Sequence, residues 1–451
     1  MLTYDLKKSP GVPLYEALYR AIRGDILSGA LAPGEKLPSK RALAENLEVS
    51  KITVEAAYNQ LLAEGYISSR EKVGYFVEQI SHHSPGSTAS VPLPSEPEDR
   101  WRIDLTSNGS AGFPFATWSR LQREVMLDYG EKLLQPIPNR GIGELRQAIA
   151  DHLAGFRGMQ INPQNILVGA GTDFLYNILI QLLGRDKTYA QEEPGYDKTR
   201  MVYAAGGARC VSAPMDDLGV RPDGLSSAEV LHISPSHHFP TGLVTPRSRR
   251  MELLDWAYSA DSRYIIEDDY DSEFRFHAHP VPTMQSLDRH GRVIYLNTFS
   301  KSLAPSIRIS YMVLPDALMN RFQQQLGFYS CTVPSFEQYT LARFLSRGYF
   351  EKHINRMRKY YKTCRNRLVS RLEASPYADR LTILEQDAGL HFLLQVDTTL
   401  TDEELTDWCA RRGIRVRSLS SYYHSEAAPD FRRCLVINYS GIRPENLDSL
   451  F

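Results

Sequence analysis

Residues 293–313 read VIYLNTFSKSLAPSIRISYMV, and this stretch places one lysine and one arginine between two apolar runs. Both runs have the length and the β-branched and aromatic content of short buried strands. The first run ends in hydroxyl side chains and Lys301. An amine at a strand end can become a nucleophile when burial lowers its pKa, although most lysines at strand ends are simply solvated. Arg308, seven residues on, adds a planar guanidinium whose geometry matches a phosphate.

Short β-like runs alternate with amphipathic helical segments around this stretch. The runs are ILVGA, TYAQ, ARCVSA, VLHIS, YIIEDD, VIYLNTF and ISYMVL, and the helical segments include TDFLYNILIQLL and RRMELLDWAYSA. Such alternation over about 200 residues predicts an α/β domain with a mostly parallel sheet. Because ligands of these sheets bind at the carboxyl ends of the strands, the residues directly after each strand are the candidates for chemistry.

Two further strand ends carry suitable groups. In residues 166–173, ILVGAGTD, the glycines expose backbone N–H groups at the positive end of a helix, as a phosphate cradle does. A turn built only for close packing is the alternative. Asp268 and Asp269 end another run, where a carboxylate can bind a metal, act as a base, pair with a cationic ring nitrogen, or simply cap a helix or join a surface ion pair.

Together these groups are the ones that pyridoxal 5′-phosphate requires: a phosphate cradle, a lysine for the aldehyde and an acid for the pyridinium nitrogen. Tyr196, in the segment EPGY, supplies an aromatic ring that can stack on the coenzyme. No metal site is predicted, because no His, Asp and Glu residues have ligand spacing along the chain. The neighbours His237 and His238 are expected to form local hydrogen bonds.

A linker separates this region from the N-terminus. Residues 81–100, SHHSPGSTASVPLPSEPEDR, hold four prolines and five serines and no aromatic residue. Such a stretch cannot bury enough apolar area to offset the entropy of ordering it, and loops of this length inside one domain are uncommon. We therefore predict an N-terminal domain over residues 1–77, a linker over 78–100 and a large domain over 101–451.

The N-terminal segment has the pattern of a helix-turn-helix followed by two strands. Apolar residues recur every four positions from Leu14 to Ile26, and Ser39 and Ser50 stand where two further helices would begin. The residues expected to face DNA are Ser39, Lys40, Arg41, Ser50, Lys51, Thr53, Arg70 and Lys72. Residues 1–77 contain ten Lys or Arg and nine Asp or Glu. Charge alone therefore leaves both DNA binding and a three-helix interaction module open.

The composition of the whole chain excludes several classes of protein. With 42% hydrophobic residues, and 52 Lys or Arg against 53 Asp or Glu, the 451 residues are not those of a disordered chain. No apolar run reaches the roughly 20 residues of a membrane span, and the N-terminus lacks a signal-peptide pattern. Five scattered cysteines without a CxxC motif favour reduced thiols. We expect a soluble, cytoplasmic, multidomain protein with no membrane partner.

The N-terminal segment resembles a known DNA-binding domain. Residues 13–67, PLYEALYRAIRGDILSGALAPGEKLPSKRALAENLEVSKITVEAAYNQLLAEGYI, are similar to the winged helix-turn-helix of the GntR family of bacterial transcription factors. They contain the family pattern IxxGxLxPGxxLPSxRxLA. The family usually has Arg where Lys51 stands, and lysine keeps the charge without the bidentate fork that reads guanine. The resemblance implies a double-stranded DNA operator as a partner.

The large domain resembles the fold-type I aminotransferases over residues 101–451. The matching segments are NRGIGELRQAIADHLAGFRG, GAGTDFL, EEPGYDK, SPSHHFPTG, YIIEDDYDSEF and NTFSKSLAPSIRISYMVLP. Placed behind a GntR-like domain, they identify the chain as a member of the MocR/GabR-type regulators. The implied fold is a small α+β winged helix-turn-helix plus a large α/β fold-type I PLP-dependent aminotransferase-like domain with a smaller C-terminal α+β subdomain.

The resemblance also implies a role for each candidate residue. Lys301, the catalytic residue, would form the internal aldimine, and Asp268 would pair with the pyridine nitrogen. Tyr270 would hydrogen-bond the phenolic O3′, and Tyr196 would stack on the ring. The phosphate would be bound by Ala170, Gly171, Thr172, Thr298, Ser300 and Arg308. The effector would be bound by Arg432 or, less favoured, Arg433, and by Lys198.

Two departures from the aminotransferase pattern favour a regulator over an enzyme. Phe239 stands where enzymatic aminotransferases usually have the Asn of Asn-Pro-Thr-Gly. Val436 stands where many of them have a carboxylate-binding arginine. The chain also ends at Phe451 within the pattern of a final helix, which is typical of a truncated sequence.

The predicted function is a DNA-binding transcriptional regulator and not an enzyme. A primary amine or amino acid would displace Lys301, and the external aldimine would change domain closure and so DNA binding. The family implies a homodimer, head-to-tail and domain-swapped. Two alternatives stay open: an aminotransferase with an accessory N-terminal domain, and a regulator that senses pyridoxal 5′-phosphate itself.

Overall fold

The computed structural model describes residues 2–4, 13–71, 73–79, 101–107, 109, 112–274, 281–384, 389–424 and 432–442. The chain divides into two compact units, Met1–Glu98 and Asp99–Phe451. Most of the predicted linker, the candidate DNA-binding residue Lys72 and the C-terminal residues 443–451 lie outside the described residues.

The first unit contains three helices and a small antiparallel sheet. In chain order the elements are α1 (Leu14–Ser28), β1 (Lys36–Leu37), α2 (Lys40–Leu47), α3 (Lys51–Ala63), β2 (Ile67–Arg70) and β3 (Gly74–Val77). The sheet order is β1-β3-β2. The three predicted helices and the two predicted strands are confirmed. The sequence did not predict β1, because two residues are too few to show a period.

Capping side chains and an apolar core explain why these elements form where they do. Ser39 accepts a hydrogen bond from the Ala42 amide and Ser50 accepts one from the Thr53 amide, so both serines cap helices as predicted. Helix α1 buries Leu18, Ile22 and Ile26, and α3 packs its own apolar face against them. These contacts form the apolar core of the first unit.

The second unit is built around an eight-stranded sheet. Its strands are β5 (Ile166–Gly169), β6 (Thr188–Glu193), β7 (Arg209–Asp216), β8 (Gly219–Val220), β9 (Val230–Ile233), β10 (Tyr264–Asp268), β11 (Val293–Thr298) and β12 (Ser310–Val313), and a short β4 (Ile103–Asp104) precedes them. The order is β5-β12-β11-β10-β9-β6-β7-β8. Strands β7, β6, β9, β10 and β11 are mutually parallel, and β12 runs antiparallel to both β5 and β11. The predicted mostly parallel sheet is confirmed.

Helices cover both faces of this sheet. They are α4 (Phe115–Tyr129), α5 (Gly143–Arg157), α6 (Thr172–Leu183), α7 (Asp197–Ala205), α8 (Arg247–Tyr258), α9 (Met284–Leu287), α10 (Phe299–Ser302), α11 (Asp316–Gln325), α12 (Ser335–Ser346) and α13 (Tyr349–Glu373). Alternate strand residues enter different cores: Ile294 joins the side chains of α6 and α11, whereas Tyr295 joins those of α5 and α12. Burial on both faces explains why the strands read as continuous apolar runs.

A smaller α+β subdomain completes the second unit. It contains β13 (Leu381–Leu384), β14 (His391–Val396), α14 (Asp402–Ala410), β15 (Ile414–Arg415), β16 (Arg417–Ser418) and β17 (Cys434–Asn438). Strands β13-β14-β17-β16 form an antiparallel sheet, and β15 pairs with β4. The predicted C-terminal subdomain is thus confirmed. No helix in the described part of the chain is both long and apolar enough to cross a bilayer.

Candidate coenzyme and effector site

A cavity of about 510 Å³ lies at the carboxyl ends of the central parallel strands. Glu192 on β6, His232 on β9, Asp268 on β10 and Thr298 on β11 all contribute to its wall. The first turn of α6 forms another side. The cavity therefore occupies the position expected for the ligand of such a sheet.

Lys301 lies in this cavity, on the short helix α10 directly after β11. Burial lowers the pKa of its ammonium from 10.5 to about 8, although the charges of Asp271 and Asp268 oppose the shift. Its Nζ lies 5.8 Å from the centroid of the Tyr270 ring. A lysine in this environment offers far more free amine at neutral pH than a lysine in water does.

Asp268 and Asp269 face opposite sides of the sheet, which separates their roles. Asp268 lines the cavity, and its Oδ2 accepts a hydrogen bond of 2.6 Å from the Tyr176 hydroxyl. Its Oδ1 is buried and has no hydrogen-bond partner among the described residues. Asp269 instead pairs with Arg157 at 3.0 Å and accepts from the Tyr295 hydroxyl. Asp268 is therefore the carboxylate that can meet a ligand.

A second layer of side chains holds Asp268 in place. His232 Nε2 lies 3.5 Å from Asp268 Oδ2, and its Nδ1 is 2.6 Å from the Tyr203 hydroxyl. Burial raises the pKa of Tyr176 and of Tyr203 well above 10, so both keep their protons. Sequence reasoning did not predict this chain of contacts, because Tyr176 follows the α6 apolar pattern and resembles an ordinary core residue.

The candidate phosphate site is formed by the turn before α6 and by Arg308. Gly171 has a φ of 92°, and a Cβ there would lie 2.1 Å from Arg308 Nη2. Only glycine therefore lets the guanidinium approach this turn. Thr172 and Ser300 line the cavity beside it, and the buried Ser300 Oγ has no hydrogen-bond partner among the described residues.

Three of the residues expected at the phosphate already have partners within the protein. The Ala170 amide donates to Thr332 Oγ1, and the Gly171 amide donates to the Gly169 carbonyl. Thr298 Oγ1 accepts from the Ser300 amide and from Ser310 Oγ. The remaining groups are the helix-starting residues Thr172 and Asp173 together with the Ser300 and Arg308 side chains, which all line the cavity.

The two tyrosines expected at the ring both line the cavity. Tyr270 has its hydroxyl 3.2 Å from His237 Nδ1, which in turn is 2.8 Å from Asp271 Oδ2. Burial, with the nearby Asp271 and Asp268 charges, raises the pKa of Tyr270 well above 10. Tyr196 is half exposed and packs edge-on against Phe239 at 5.7 Å between ring centroids.

Three buried groups that are distant in sequence also meet beside Tyr270. Ligand atoms of His237, Asp271 and His391 lie within 4.8 Å of one another, which is close enough for a metal ion. The sequence predicted no metal site, because no motif with ligand spacing occurs along the chain. Spacing along the chain does not show which distant segments the fold brings together, so this cluster was missed. His238 hydrogen-bonds Thr241 Oγ1 locally, as expected, whereas the same expectation was wrong for His237, which bonds the distant Asp271.

Of the three candidate effector residues, one lines the cavity and two do not. Lys198 lines the cavity, where its Nζ is 2.6 Å from Asp173 Oδ2. Arg432 and Arg433 are exposed and do not line it. They directly precede β17, and the residue of β17 that lines the cavity is Asn438, at the other end of the strand. An extended strand from Arg433 to Asn438 is roughly 17 Å long. Neither arginine lies at this cavity, and the expectation that one of them binds the effector stays a prediction.

Four charged residues that the sequence did not single out also line the cavity: Asp173, Glu192, Arg415 and Arg417. Burial raises the pKa of Glu192 to about 8, so this carboxyl group is largely protonated at neutral pH. Arg417 lies opposite Val436 in the pairing of β16 with β17. The two strands that carry the arginines contain two residues each, which is too short to show a period, so the sequence contained no clear signal for them.

The groups present in the cavity fit pyridoxal 5′-phosphate. An amine with a lowered pKa, a carboxylate oxygen that no described residue hydrogen-bonds, and a glycine turn against an arginine match its aldehyde, its ring nitrogen and its phosphate. The residues that the sequence expected at these three positions, Lys301, Asp268 and Arg308, line one cavity.

The candidate DNA-binding residues lie in the first unit, around the start of α3. Lys51 and Arg70 are exposed, and Thr53 Oγ1 is 2.8 Å from the capping Ser50 Oγ. Lys40 instead pairs with Glu55 at 2.7 Å, which joins α2 to α3, and Arg41 pairs with Glu45. Lys40 thus contributes to helix packing, whereas Lys51 and Arg70 are available to a nucleic acid.

Comparison with known proteins assigns a family to each unit. Residues 102–451 match the family described as aminotransferase class I and II, and residues 14–77 match the bacterial regulatory proteins of the gntR family. The first match alone covers more than three quarters of the chain.

Relatives with both domains have been named as regulators. The chain is 37% identical over 432 residues to the uncharacterized HTH-type transcriptional regulator YdeL of Bacillus subtilis (strain 168), which spans 94% of this chain and 93% of that protein. It is 33% identical over 464 residues to the probable rhizopine catabolism regulatory protein MocR of Rhizobium meliloti, with 98% and 93% covered.

The solved structures that resemble the second unit include aminotransferases. The crystal structure of an archaeal alanine:glyoxylate aminotransferase superposes with a TM-score of 0.68 and 23% identity, covering 76% of this chain and 87% of that chain. At this identity the likeness concerns the fold alone.

Proposed function

This chain belongs to the MocR-type transcriptional regulators, and we propose that it binds pyridoxal 5′-phosphate at Lys301 and senses a primary amine or amino acid there. These regulators join a gntR-family DNA-binding domain to an aminotransferase class I and II domain. The observation that carries the proposal is the environment of Lys301. Its amine is buried in the cavity with a pKa of about 8, in the same cavity as an Asp268 oxygen that has no hydrogen-bond partner within the described part of the chain.

Each group would have a separate task toward the coenzyme. Asp268 Oδ1 would hold a proton at the ring nitrogen, since Tyr176 already occupies Oδ2 and fixes the carboxylate. Tyr270 would donate its hydroxyl proton to the phenolic oxygen, and Tyr196 would cover the ring face. Arg308, Ser300 and Thr172 would bind the phosphate, and Gly171 keeps the space that Arg308 requires.

The sensing step is an exchange of amines. When bound, the coenzyme supplies an aldehyde carbon that can join an amine covalently. The nitrogen of an incoming primary amine would bond to that carbon, and the bond between the carbon and Lys301 Nζ would break. The two protons of the incoming amine would end on Lys301, which leaves as a free amine, so nothing is oxidised or reduced.

The DNA-binding unit would report this exchange. Lys51 and Arg70 would contact a double-stranded operator, with α3 as the recognition helix in the major groove. The family resemblance supports a head-to-tail, domain-swapped homodimer and a cytoplasmic location. An effector that binds two conformations with different affinity would shift the population that binds DNA.

The test is the visible spectrum of the protein with added coenzyme and amines. The wild-type chain should gain a visible absorbance band with pyridoxal 5′-phosphate, and some primary amines should change that band. Lys301→Ala should show neither effect, whereas Lys359→Ala, at an exposed position on α13, should match the wild type. A Lys301→Ala variant that keeps the band and its response to amines would overturn the proposal.

Turnover separates a sensor from an enzyme. A regulator should show at most single-turnover changes with an amino donor and a keto acid. Repeated turnover at about 1 per second or faster would instead favour an aminotransferase. A change in DNA binding with coenzyme alone, and none with amines, would favour a protein that senses the coenzyme.

A further inference from the structure

A chain of three hydrogen-bonding side chains begins at Tyr270 and leads away from the cavity. His237 Nδ1 lies 3.2 Å from the Tyr270 hydroxyl and 2.8 Å from Asp271 Oδ2. Tyr270 lines the cavity, whereas His237 and Asp271 are buried behind it and do not. The proposed function assigns a task to Tyr270 and none to the two residues behind it.

The short contact to Asp271 determines where His237 carries its proton. A carboxylate oxygen only accepts hydrogen bonds, so the Nδ1 that faces it at 2.8 Å has to be the donor. An unprotonated Nδ1 would instead bring two lone pairs together in a buried site, which is unfavourable. His237 is therefore the tautomer with a proton on Nδ1, since the partner of one ring nitrogen sets the tautomer of a histidine.

A protonated Nδ1 cannot accept the hydroxyl proton of Tyr270. At 3.2 Å the hydroxyl oxygen can only share the Nδ1 proton as a second acceptor. Burial, with the nearby Asp271 and Asp268 charges, raises the pKa of Tyr270 well above 10, so the hydroxyl keeps its own proton. Asp271 also attracts that proton, but its Oδ2 already accepts from His237. The proton of Tyr270 is therefore available on the cavity side.

Close packing holds the His237 ring in this position. Gly389, just before β14, has a φ of 70°, and a Cβ there would lie 1.8 Å from His237 Cε1 and 2.2 Å from its Nδ1. The His391 ring lies against the His237 ring, with 4.7 Å between the centroids. Only glycine at position 389 leaves the space that the His237 ring occupies, so the packing sets its distance from Tyr270.

A metal site is the alternative use of this cluster, because ligand atoms of His237, Asp271 and His391 lie within 4.8 Å of one another. Two observations favour the hydrogen-bonded arrangement. His237 Nδ1 and Asp271 Oδ2 lie at hydrogen-bond distance, and binding one ion through both atoms would require the loss of the proton between them. Lys301 is close enough for its charge to act on His391, and this charge would repel a metal cation.

We propose that His237 and Asp271 are positioning residues that direct the hydroxyl proton of Tyr270 toward the phenolic oxygen of the coenzyme. The inference rests on the proposed function, since Tyr270 would touch the coenzyme and the other two residues act through Tyr270. Their contribution to coenzyme binding should therefore exist only when the coenzyme carries that oxygen.

The experiment compares pyridoxal 5′-phosphate with 3-deoxypyridoxal 5′-phosphate, which lacks the phenolic oxygen. Equilibrium dialysis of the full chain gives both dissociation constants without relying on the visible band. Each variant is compared with the wild type for the same compound, so the different reactivities of the two aldehydes cancel. The variants are His237→Phe, His237→Asn, Asp271→Asn, Gly389→Ala, Tyr270→Phe and the double variant His237→Phe/Tyr270→Phe.

Two substitutions outside the cavity wall are the controls. His290→Phe replaces an exposed histidine, and Gly155→Ala adds a Cβ where nothing lies within 4 Å. Both should leave the two dissociation constants unchanged. Unchanged binding of the 3-deoxy compound by the other variants shows that they remain folded.

Tyr270→Phe should weaken binding of pyridoxal 5′-phosphate by about 10- to 100-fold, the usual effect of losing a hydrogen bond to a charged group. His237→Phe should weaken it by about 3- to 20-fold, because the hydroxyl remains but its proton is no longer directed. His237→Asn should recover part of this loss, since its amide N–H can stand near the place of Nδ1. None of these variants should change binding of the 3-deoxy compound.

The remaining variants test how the residues are connected. Asp271→Asn should give a smaller selective loss than His237→Phe, because an amide oxygen is a weaker acceptor for Nδ1. Gly389→Ala should give a loss similar to that of His237→Phe, because the added Cβ displaces the ring. The double variant should bind no more weakly than Tyr270→Phe, since His237 acts only through that hydroxyl.

Equal losses for both compounds in His237→Phe and Asp271→Asn would overturn the inference, because a merely structural role does not depend on the phenolic oxygen. Unchanged binding of pyridoxal 5′-phosphate by His237→Phe would also overturn it. Tighter binding by Asp271→Asn would do the same, since the Tyr270 proton would then be directed to Asp271. A stoichiometric metal ion in the purified wild type, whose removal by EDTA abolishes the selectivity, would assign the cluster to a metal.

Failure of the inference and failure of the proposed function give different results. If Tyr270→Phe weakens both compounds equally, Tyr270 does not meet the phenolic oxygen and the inference fails. Coenzyme that still binds covalently at Lys301 would then continue to support the proposed function. A wild type that binds neither compound would contradict both.

Discussion

Lys301 is partly uncharged at a pH where an ordinary lysine is almost fully protonated. Burial lowers its pKa from 10.5 to about 8. At pH 7 about one tenth of the side chain is therefore uncharged, against less than one thousandth for a lysine in water. This difference has a direct kinetic consequence.

We expect the rate at which coenzyme-free protein captures pyridoxal 5′-phosphate to rise about tenfold per pH unit below pH 8 and to level off above it. The sign follows from the lowered pKa, because deprotonation is nearly complete one unit above that value. Stopped-flow absorbance from pH 6 to pH 10 measures it. Nα-acetyl-lysine in the same buffers is the reference, and a protein rate that keeps rising in parallel with it to pH 10 would contradict the assignment.

Gly171 provides a steric test of the phosphate site. Its φ of 92° and the 2.1 Å approach of a Cβ to Arg308 both disfavour alanine. Gly171→Ala should weaken coenzyme binding by about 1–3 kcal/mol, the usual cost of such strain, or roughly 5- to 150-fold. Titration of the absorbance band measures it.

Gly155→Ala is the matched control for that substitution. Gly155 lies inside α5, and nothing lies within 4 Å of a Cβ there. Alanine should stabilise that helix by roughly 0.5–1 kcal/mol and leave coenzyme affinity unchanged. Equal coenzyme affinity for Gly171→Ala and Gly155→Ala would show that Arg308 has no part in the phosphate site.

At the scale of single residues, sequence predicted the groups whose chemistry is unusual for their position. Lys301 and Asp268 follow apolar strands, where a charged side chain has few structural reasons to occur. Arg417 and His232 gave no comparable signal, since an arginine or a histidine near a strand is ordinary. Their roles depend on which side chains the fold brings within a few ångströms of them. The sequence does not contain these distances between side chains.

At the scale of elements, a serine cap determines where α3 begins. Ser50 Oγ accepts from the Thr53 amide at 3.1 Å and lies 2.8 Å from Thr53 Oγ1. Lys51, the first residue of the helix, follows it directly. The cap therefore sets the direction of the residues that start α3, the recognition helix of the proposed function.

Ser50→Ala should destabilise the DNA-binding unit by about 1 kcal/mol, because one orphan amide loses its acceptor. Ser50→Asn should restore most of that loss, since asparagine is an equally good capping residue. Thermal unfolding of the full chain and DNA affinity by fluorescence anisotropy provide the two readouts. A Ser50→Asn variant that regains stability but still binds DNA as weakly as Ser50→Ala would contradict a role in capping alone. In that case the Ser50 hydroxyl itself contacts DNA.

Elements were predicted well where an apolar period repeats over a full turn or strand. The α/β alternation, the three N-terminal helices and the wing strands each contain enough residues to show the period of their structure. Strands β1, β15 and β16 contain two residues each and show no period. The sequence could not predict the last two, and Arg415 and Arg417, which lie on them, were missed for the same reason.

At the scale of the whole molecule, the chain consists of two compact units, Met1–Glu98 and Asp99–Phe451. Family membership states that such chains combine DNA binding with an aminotransferase-like domain. The communication between the two units is the proposed part. It requires that the amine exchange at Lys301 alters the affinity for DNA, and allosteric coupling of this kind is usually 1–3 kcal/mol.

The most direct measurement of this central claim is the DNA affinity of the coenzyme-loaded protein with and without amine, for the wild type and for Lys301→Ala. The DNA is the tightest-binding duplex selected from a random library by the wild-type chain. We predict that an amine which changes the wild-type spectrum also changes its DNA affinity by about 5- to 150-fold, and that Lys301→Ala binds the same DNA without any response to the amine. An equal response in wild type and Lys301→Ala would contradict the account.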